Sequence, residues 1–419
     1  MSVVVSYGQQ GRFECNLSTD RLVSCSLAPE PLADLPSALR QALNEPLDFP
    51  PLSRATVSGD HVVLALDRHT PQAATLIAGV WEVLAAQGVE AKDVLILQPT
   101  SLSGPKVTDP RLKLPLDIQN VVEWRVHDAT DSKQQAYLAT TANEERIYLA
   151  RSVVEADLVI SIGQIGYDPV MGFRGTNSVF YPGLSSTSAV KKARGFGHQE
   201  LAPDDERPLR QLVEEIGWLL GVQFSILVLP SRGDGVSAVL AGFEQSVRQR
   251  GRELLIQQRQ IEIKQRAETV VISVDADAAG HGWDQIGAAL ATARSLVKRG
   301  GKVVILSELN GANSELSDGM QIVRSCGSPR EALKPLRDQV PPDFLPATQL
   351  AQGADWARIY LLSRLDSGLV EDLFMTPLES EAEVSRLLAL SKSCAVIEGG
   401  QHAHGVLLPQ TDDSDPEST

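Results

Sequence analysis

HVVLALDRHTPQAATLIAGVWEVLAAQGVEAKDVLILQPT, residues 61–100, carries the pattern that decides the fold. HVVLALD is a continuous apolar run that ends in the polar group Asp67-Arg68-His69-Thr70-Pro71. Such a run, without alternation, suits a strand buried on both faces. PQAATLIAGVWEVLAAQGV places its apolar residues at helical spacing, with Gly88 near its end. VLILQPT is the next buried strand. A strand, a helix and a second strand in that order make a crossover unit, and the two strands must run parallel.

Outward from this unit the pattern repeats. Upstream, VVVSYG and FECNL read as short strands joined by a GQQG turn, and DLPSALRQALNEP as a helix stopped by Pro46. Downstream, SVVEA is helical, DLVISIG is a strand, and the glycine-rich loop Gly172-Phe173-Arg174-Gly175-Thr176-Asn177-Ser178 follows. PLRQLVEEIGWLLG then reads as an amphipathic helix and VQFSILVLP as a strand. Later come the strands ETVVISVDADAAG, KVVILSEL, RIYLLSR and CAVIEGG, with helices at WDQIGAALATARSLVKRGG and SEAEVSRLLAL.

The expected fold class is therefore α/β, with two domains that each contain a parallel sheet. Residues 1–241 form the expected N-terminal domain and 268–408 the C-terminal one. The charged, helical stretch 242–267 reads as the connector, and the acidic tail 409–419 reads as disordered. Polar strand ends come from both halves, so the expected site is a cleft between the domains.

The chain has 419 residues, 43% hydrophobic and 22% charged, which supplies enough apolar material for two cores. With 53 acidic and 38 basic side chains the net charge is −15. That balance repels phosphate backbones and anionic lipid, so neither nucleic acid nor membrane is an expected partner. A local basic pocket for a small anion is still allowed. The N-terminus lacks a basic and then apolar leader, and no apolar run is long enough to span a bilayer. Cys15, Cys25, Cys326 and Cys394 show no CxxC spacing, and reduced thiols in a cytoplasm are expected. The sequence holds no HExxH, GxSxG, Walker loop or GxGxxG after the first strand. Nothing in it speaks to oligomeric state.

Ligands of open α/β sheets gather at the carboxyl ends of strands. The most unusual such end is VISIGQIGYDPVMGFRGTNS, where glycines and prolines surround Asp168, Arg174, Asn177 and Ser178. Glycine lets the backbone approach a ligand, and the loop N–H groups can cradle an anion. A long structural turn would need the same residues.

The stretch RSVVEADLVISIGQIGYDPVMGFRGTNSVFYPGLSS resembles the nickel-pincer nucleotide-dependent lactate racemases. Val154-Glu155-Ala156-Asp157, Gly172-Phe173, Gly175 and Pro182-Gly183 match that family's strand and loop. LALDRHTP, ERPLRQLVEEIGWLLGVQFSILVL and LFMTPLESEAEVSRLL are similar to further family segments, so the resemblance runs to about residue 400. It implies a racemase or epimerase of a 2-hydroxy acid or sugar acid working by hydride transfer. The implied cofactor is a nickel-pincer nucleotide tethered through a lysine, with histidines that ligate the metal and move protons.

Residue by residue, the resemblance breaks at the chemistry. The tethering lysine falls on Ser178, so the cofactor would be held without a covalent bond. The loop histidine falls on Asp168, the candidate catalytic residue. The second proton-transfer histidine falls near Ser101, and the early aspartate on Ala65. The family's Tyr-Gln-x-x-Lys helix is replaced around Ala288, Ala289 and Thr292. Arg68 keeps the family's arginine, and His198 is the candidate metal ligand. Arg68, Gly172, Gly175, Asn177 and Ser178 are the expected cofactor contacts, and Arg174 and Ser101 the expected contacts to a small anionic substrate. Asp168 could instead pair with Arg174 and neutralise it. Two readings stay open: an isomerase with a remodelled site, or a non-catalytic protein of the same fold that binds a small anion.

Overall fold

The structure is a computed structural model that describes residues 2–99, 108–195, 202–222, 224–311 and 316–409. Its first strands, β1 (Ser2–Tyr7) and β2 (Gly11–Asn16), form an antiparallel hairpin, and β3 (Leu22–Ser26) follows. These residues do not belong with what comes next. The chain divides into two compact units: residues 29–258 with 276–280, and residues 1–28 with 259–275 and 281–419.

The inserted unit holds β4 (Val62–Leu66), β5 (Val94–Gln98), β6 (Glu123–Val126), the hairpin β7 (Gln135–Thr140) and β8 (Arg146–Ala150), and β9 (Leu158–Gln164). A second hairpin follows, β10 (Gly166–Asp168) with β11 (Gly172–Arg174), and then β12 (Phe224–Pro230) and β13 (Val236–Phe243). The six-stranded sheet has the order β13-β12-β9-β4-β5-β6. All of its pairings are parallel except that of β13, which runs antiparallel along β12.

The alternation of β4 explains its place at the centre. Val62, Leu64 and Leu66 enter one core with Leu76, Val80 and Leu84 of the helix Ala73–Ala86. Val63 and Ala65 enter the core on the opposite face with Val213 and Ile216 of the helix Pro208–Leu220. Each buried Leu or Val contributes about 1.5–3 kcal/mol, so this strand has no face it can offer to water. The helix Leu35–Asn44 is fixed by Asp34, whose side chain accepts from the Ser37 N–H at 3.0 Å.

The other unit resumes with β14 (Gln260–Ile263), β15 (Ala267–Ser273) and β16 (Val297–Asn310). It continues with β17 (Arg358–Arg364), β18 (Met375–Leu378), β19 (Cys394–Ile397) and β20 (His404–Leu407). Its sheet is parallel throughout, in the order β18-β17-β16-β15-β19-β3. Val270, Ile272, Val303 and Ile305 face the helices Trp283–Leu296 and Phe344–Trp356. Val271, Val304 and Leu306 face Val5, Phe13 and Cys15 of the N-terminal hairpin.

The α/β class with two parallel-sheet units matches the expectation from sequence, but the division of the chain does not. Residues 1–28 were expected within the N-terminal domain 1–241, and they complete the other unit instead. The reason is a pairing across nearly the whole chain, Leu22 with Cys394 and Cys25 with Val396. No local pattern announces such a pairing. The expected connector 242–267 is not a free-standing helix either. Its helix, Glu244–Arg259, buries Val247 and Leu255 against Ile165, Leu227 and Leu229, and β14 follows it directly. Residues 410–419 lie outside the described residues.

Candidate functional site

Two loops of the inserted unit meet at the carboxyl ends of β4 and β9. Gly163 lies between them. A Cβ there would lie 3.4 Å from the Asp67 Cβ and 4.0 Å from the Thr176 Cα. Asp67 follows β4, and its Oδ2 accepts from Arg174 Nη2 at 3.1 Å. Asp67 is well buried and Arg174 keeps 27% of its side-chain surface exposed. The bridge is a single contact, so the rest of the Arg174 fork stays available.

His69 sits two residues beyond Asp67 and was not singled out by the sequence. Its Nδ1 is sealed from solvent and has no hydrogen-bond partner. Burial pushes its pKa down to about 4, Arg174 and Arg68 push in the same direction, and Asp67 and Asp277 oppose them. At neutral pH the ring is therefore uncharged. Asp234 stands near the same group. Gln72, held at φ 54°, donates to its Oδ2 at 3.1 Å and to its main-chain oxygen at 3.0 Å. Burial raises the Asp234 pKa, and the neighbouring Asp277 adds to the rise.

The glycine-rich loop divides its labour. Asp168 was expected as the catalytic acid. Its Oδ1 instead accepts from the N–H groups of Val170 at 2.8 Å and Met171 at 2.7 Å, which closes its own hairpin turn. The pairing with Arg174 weighed from sequence does not form, because Asp67 takes that place. Buried Arg207 straps the hairpin by donating to Pro169 O at 2.7 Å. Gly172 is needed where it stands: φ is 78°, and a Cβ would come within 2.1 Å of Pro203 O. Gly175 has open space around it and an extended backbone, so no contact demands glycine there.

Beyond Gly175 a short 3-10 turn, Thr176–Val179, carries the remaining candidates. Ser178 Oγ donates to Gly175 O at 2.5 Å and so holds the turn. Asn177 is buried against Gly217, and its Oδ1 has no partner. Thr176 Oγ1 lies 3.4 Å from Glu244, whose pKa burial raises. Ser101 and His198 fall outside the described residues. The structure thus gathers Arg68 and Arg174 with the unlooked-for His69 and Asp67, and leaves Asp168 to its turn. Surface cavities of about 500 and 470 Å³ lie elsewhere, one beside Lys264, Arg266 and Leu407, the other between the helices Leu35–Asn44 and Ala73–Ala86.

Residues 7–199 match the family model of the lactate racemase N-terminal domain. Over that stretch, a little under half of the chain, the protein is similar to a lactate racemase N-terminal domain. Its fold is similar to that of the lactate racemase apoprotein from Thermoanaerobacterium thermosaccharolyticum, with a TM-score of 0.78 and 18% identity over 97% of this chain and 100% of that one. It is also similar to a Thermotoga maritima protein from a structural-genomics programme, with a TM-score of 0.66 and 15% identity over 91% of this chain and all of the other. At these identities the likeness shows the fold. No curated protein sequence matches the chain.

The lactate racemase family uses a nickel cofactor, and the residues of this lactate-racemase-like chain do not fit a covalently tethered one. Ser178, which the sequence resemblance sets against the tethering lysine, offers a hydroxyl already spent on Gly175 O and no amine. Among the described residues no three His, Cys, Asp or Glu side chains are placed to hold a metal ion. No helix among them is long and apolar enough to cross a membrane.

Proposed function

We propose that this lactate-racemase-like protein binds a small carboxylate or other small anion at the ends of β4 and β9, and does not racemise lactate through a tethered nucleotide. One observation carries the reading: the single-contact bridge from Arg174 to Asp67 leaves most of a guanidinium fork free beside Arg68. A planar fork suits carboxylate or phosphate in two-point contact. In a chain of net charge −15, two arginines at one strand end, with Asp67 engaging only part of one fork, suit a small anion better than a polyanion. The cytoplasm, where such anions abound, is the compartment we assign.

The test is calorimetric titration of acetate, glycolate, sugar acids and phosphate into the wild type and Arg174→Ala. Binding that the substitution weakens supports the reading. Equal binding by both proteins, or none by either, removes it.

A second reading, isomerisation of a 2-hydroxy acid or sugar acid, draws on the neutral His69 ring beside the same arginine. A general base needs an uncharged ring at working pH, which His69 has. Chiral analysis of hydroxy acids after incubation separates the two readings.

A further inference from the structure

The six-stranded sheet of the inserted unit ends differently on its two sides. At β13 the outer edge is occupied. Leu32 N–H donates to Val236 O, Leu47 N–H to Ala241 O, and Phe243 N–H to Leu47 O, each at 2.8 Å. At β6 no described strand lies beyond the edge. His127 N–H donates to Gln98 O at 2.8 Å, so it points at β5. Main-chain groups alternate sides along a strand. Arg125 and Glu123 therefore also face β5, and Trp124 and Val126 turn their N–H and C=O outward. Among the described residues no group bonds these four. Such an open row is a template for another strand. The stretch that leads into it and along it also leaves Leu112, Leu116, Val121 and Val126 exposed.

We infer that β6 pairs with β6 of a second copy of this chain, antiparallel about a twofold axis at Trp124, and joins the two sheets edge to edge. The charges select that occupant and that register. Glu123 and Arg125 share one face of the strand, and Arg125 Nε donates to Glu123 Oε1 at 3.0 Å. Both side chains are exposed. Turned about Trp124, the strand sets its Glu123 opposite Arg125 of the second copy, and its Arg125 opposite Glu123. Charge on an edge strand ordinarily keeps copies apart. Here the two signs flank the centre symmetrically, so self-pairing brings unlike charges together.

The main chain agrees with the same axis. The outward N–H and C=O of Trp124 make the central pair of bonds with their own counterparts. The ladder is short, because Val122, opposite Val126, already spends its N–H on Ile118 O at 2.9 Å. The axis also sets exposed Val126 beside Val121 and Val122 of the second copy, so apolar surface is covered along with the charges.

Sedimentation equilibrium of the full chain tests the pairing. Samples span about 1 to 300 µM, where small interfaces dissociate. Salt at about 0.15 M screens the repulsion between two copies of net charge −15. The wild type is expected to pass from monomer to dimer across this range. Glu123→Arg and Arg125→Glu each set like charges across the axis, and each weakens the dimer about tenfold or more. Net charge alone predicts opposite changes for the two, since the first makes the chain less negative and the second more so. Mixing the two variants restores unlike charges at both contacts, and the dimer returns. Should a single variant fail to fold, the double variant, which exchanges the two charges, still has to dimerise as the wild type does. A wild type that stays monomeric overturns the inference. So does a dimer that either reversal leaves unchanged, or a mixture or double variant that stays monomeric.

Discussion

His69 and His281 occupy comparable places, each shortly after a parallel strand of its own unit, yet their surroundings differ. His281 Nδ1 lies 3.2 Å from Asp275 O, while Nε2 meets Ser307 Oγ at 2.8 Å and the Glu308 N–H at 3.0 Å. Every valence of that ring is spent on the fold. Nearby Glu308 is equally committed, to the N–H of Gln9 at 2.7 Å and to Arg364 at 3.0 Å. His69 has a sealed nitrogen with nothing to bind, next to an arginine held by one contact. The same residue type at the same kind of position thus serves as mortar in one unit and stands unspent in the other. Unspent hydrogen-bonding capacity, more than residue identity, is what separates the two rings.

The largest test of this contrast is catalytic. Supplied with the nickel nucleotide, the protein should racemise lactate at least 10²–10⁴-fold more slowly than an authentic racemase, the usual loss when positioned acid–base groups are absent. Chiral chromatography of D- and L-lactate reads it. Turnover comparable with the authentic enzyme would show that Ser178 and Asp168 do not stand where the family's lysine and histidine do.

Arginine substitutions come next. Arg174→Ala should weaken carboxylate binding about tenfold to a hundredfold, the range for a charge-assisted contact. Arg364→Ala, which removes an exposed arginine bound to Glu308, should leave binding within twofold by the same titration. Equal losses in both would dissolve the distinction between the units.

Stability should reverse the order. His281→Leu strands the Ser307 hydroxyl and the Glu308 N–H, and should cost about 2 kcal/mol in urea unfolding. His69→Leu breaks no hydrogen bond of the fold and should cost less than half as much. A larger loss at His69 would mean that its ring holds the fold in a way its contacts do not show.

The smallest effect is one of pH. Burial holds the folded His69 pKa near 4 against 6.5 for the free side chain. Between those values the unfolded chain carries a proton there that the folded chain lacks. The contribution is fully present above about pH 6.5 and is lost as pH falls toward 4. Asp67, Arg68, Arg174 and Asp277 surround the group and enter the same balance. The wild type should therefore lose about 1 kcal/mol more than His69→Leu between pH 6.5 and 4.5, solvent screening included. Parallel urea midpoints for the two proteins across that window would remove His69 as the cause.

How much of this was legible from the sequence follows from the range of each interaction. The strands at 62–66 and 94–98 were plain, because buried parallel strands are unbroken apolar runs and their helix has a clear period. The antiparallel edge Val236–Phe243 was not, since one partner covers it and its residues show no clean alternation. The turn role of Asp168 is local, set by main-chain groups two and three residues on, and its Asp-Pro pair signals such a turn. His69 looked like one more polar residue after a strand. Its neutral state comes first from burial and then from Arg174, which is remote in sequence. The same distance hid the pairing of β3 with β19.

That last pairing sets a schedule for the ribosome. Residues 29–258 form an uninterrupted insert, so their sheet has all its strands well before synthesis ends. The hairpin and β3, made before the insert, must wait, since among the described strands β3 pairs with β19 alone, at Cys394–Ile397. Val5, Phe13 and Cys15 likewise lack the residues that cover them in the finished protein until β15 and β16 have been made. The hairpin and β3 are thus made before the insert yet sheltered after it, and their apolar side chains stay open to solvent in the meantime.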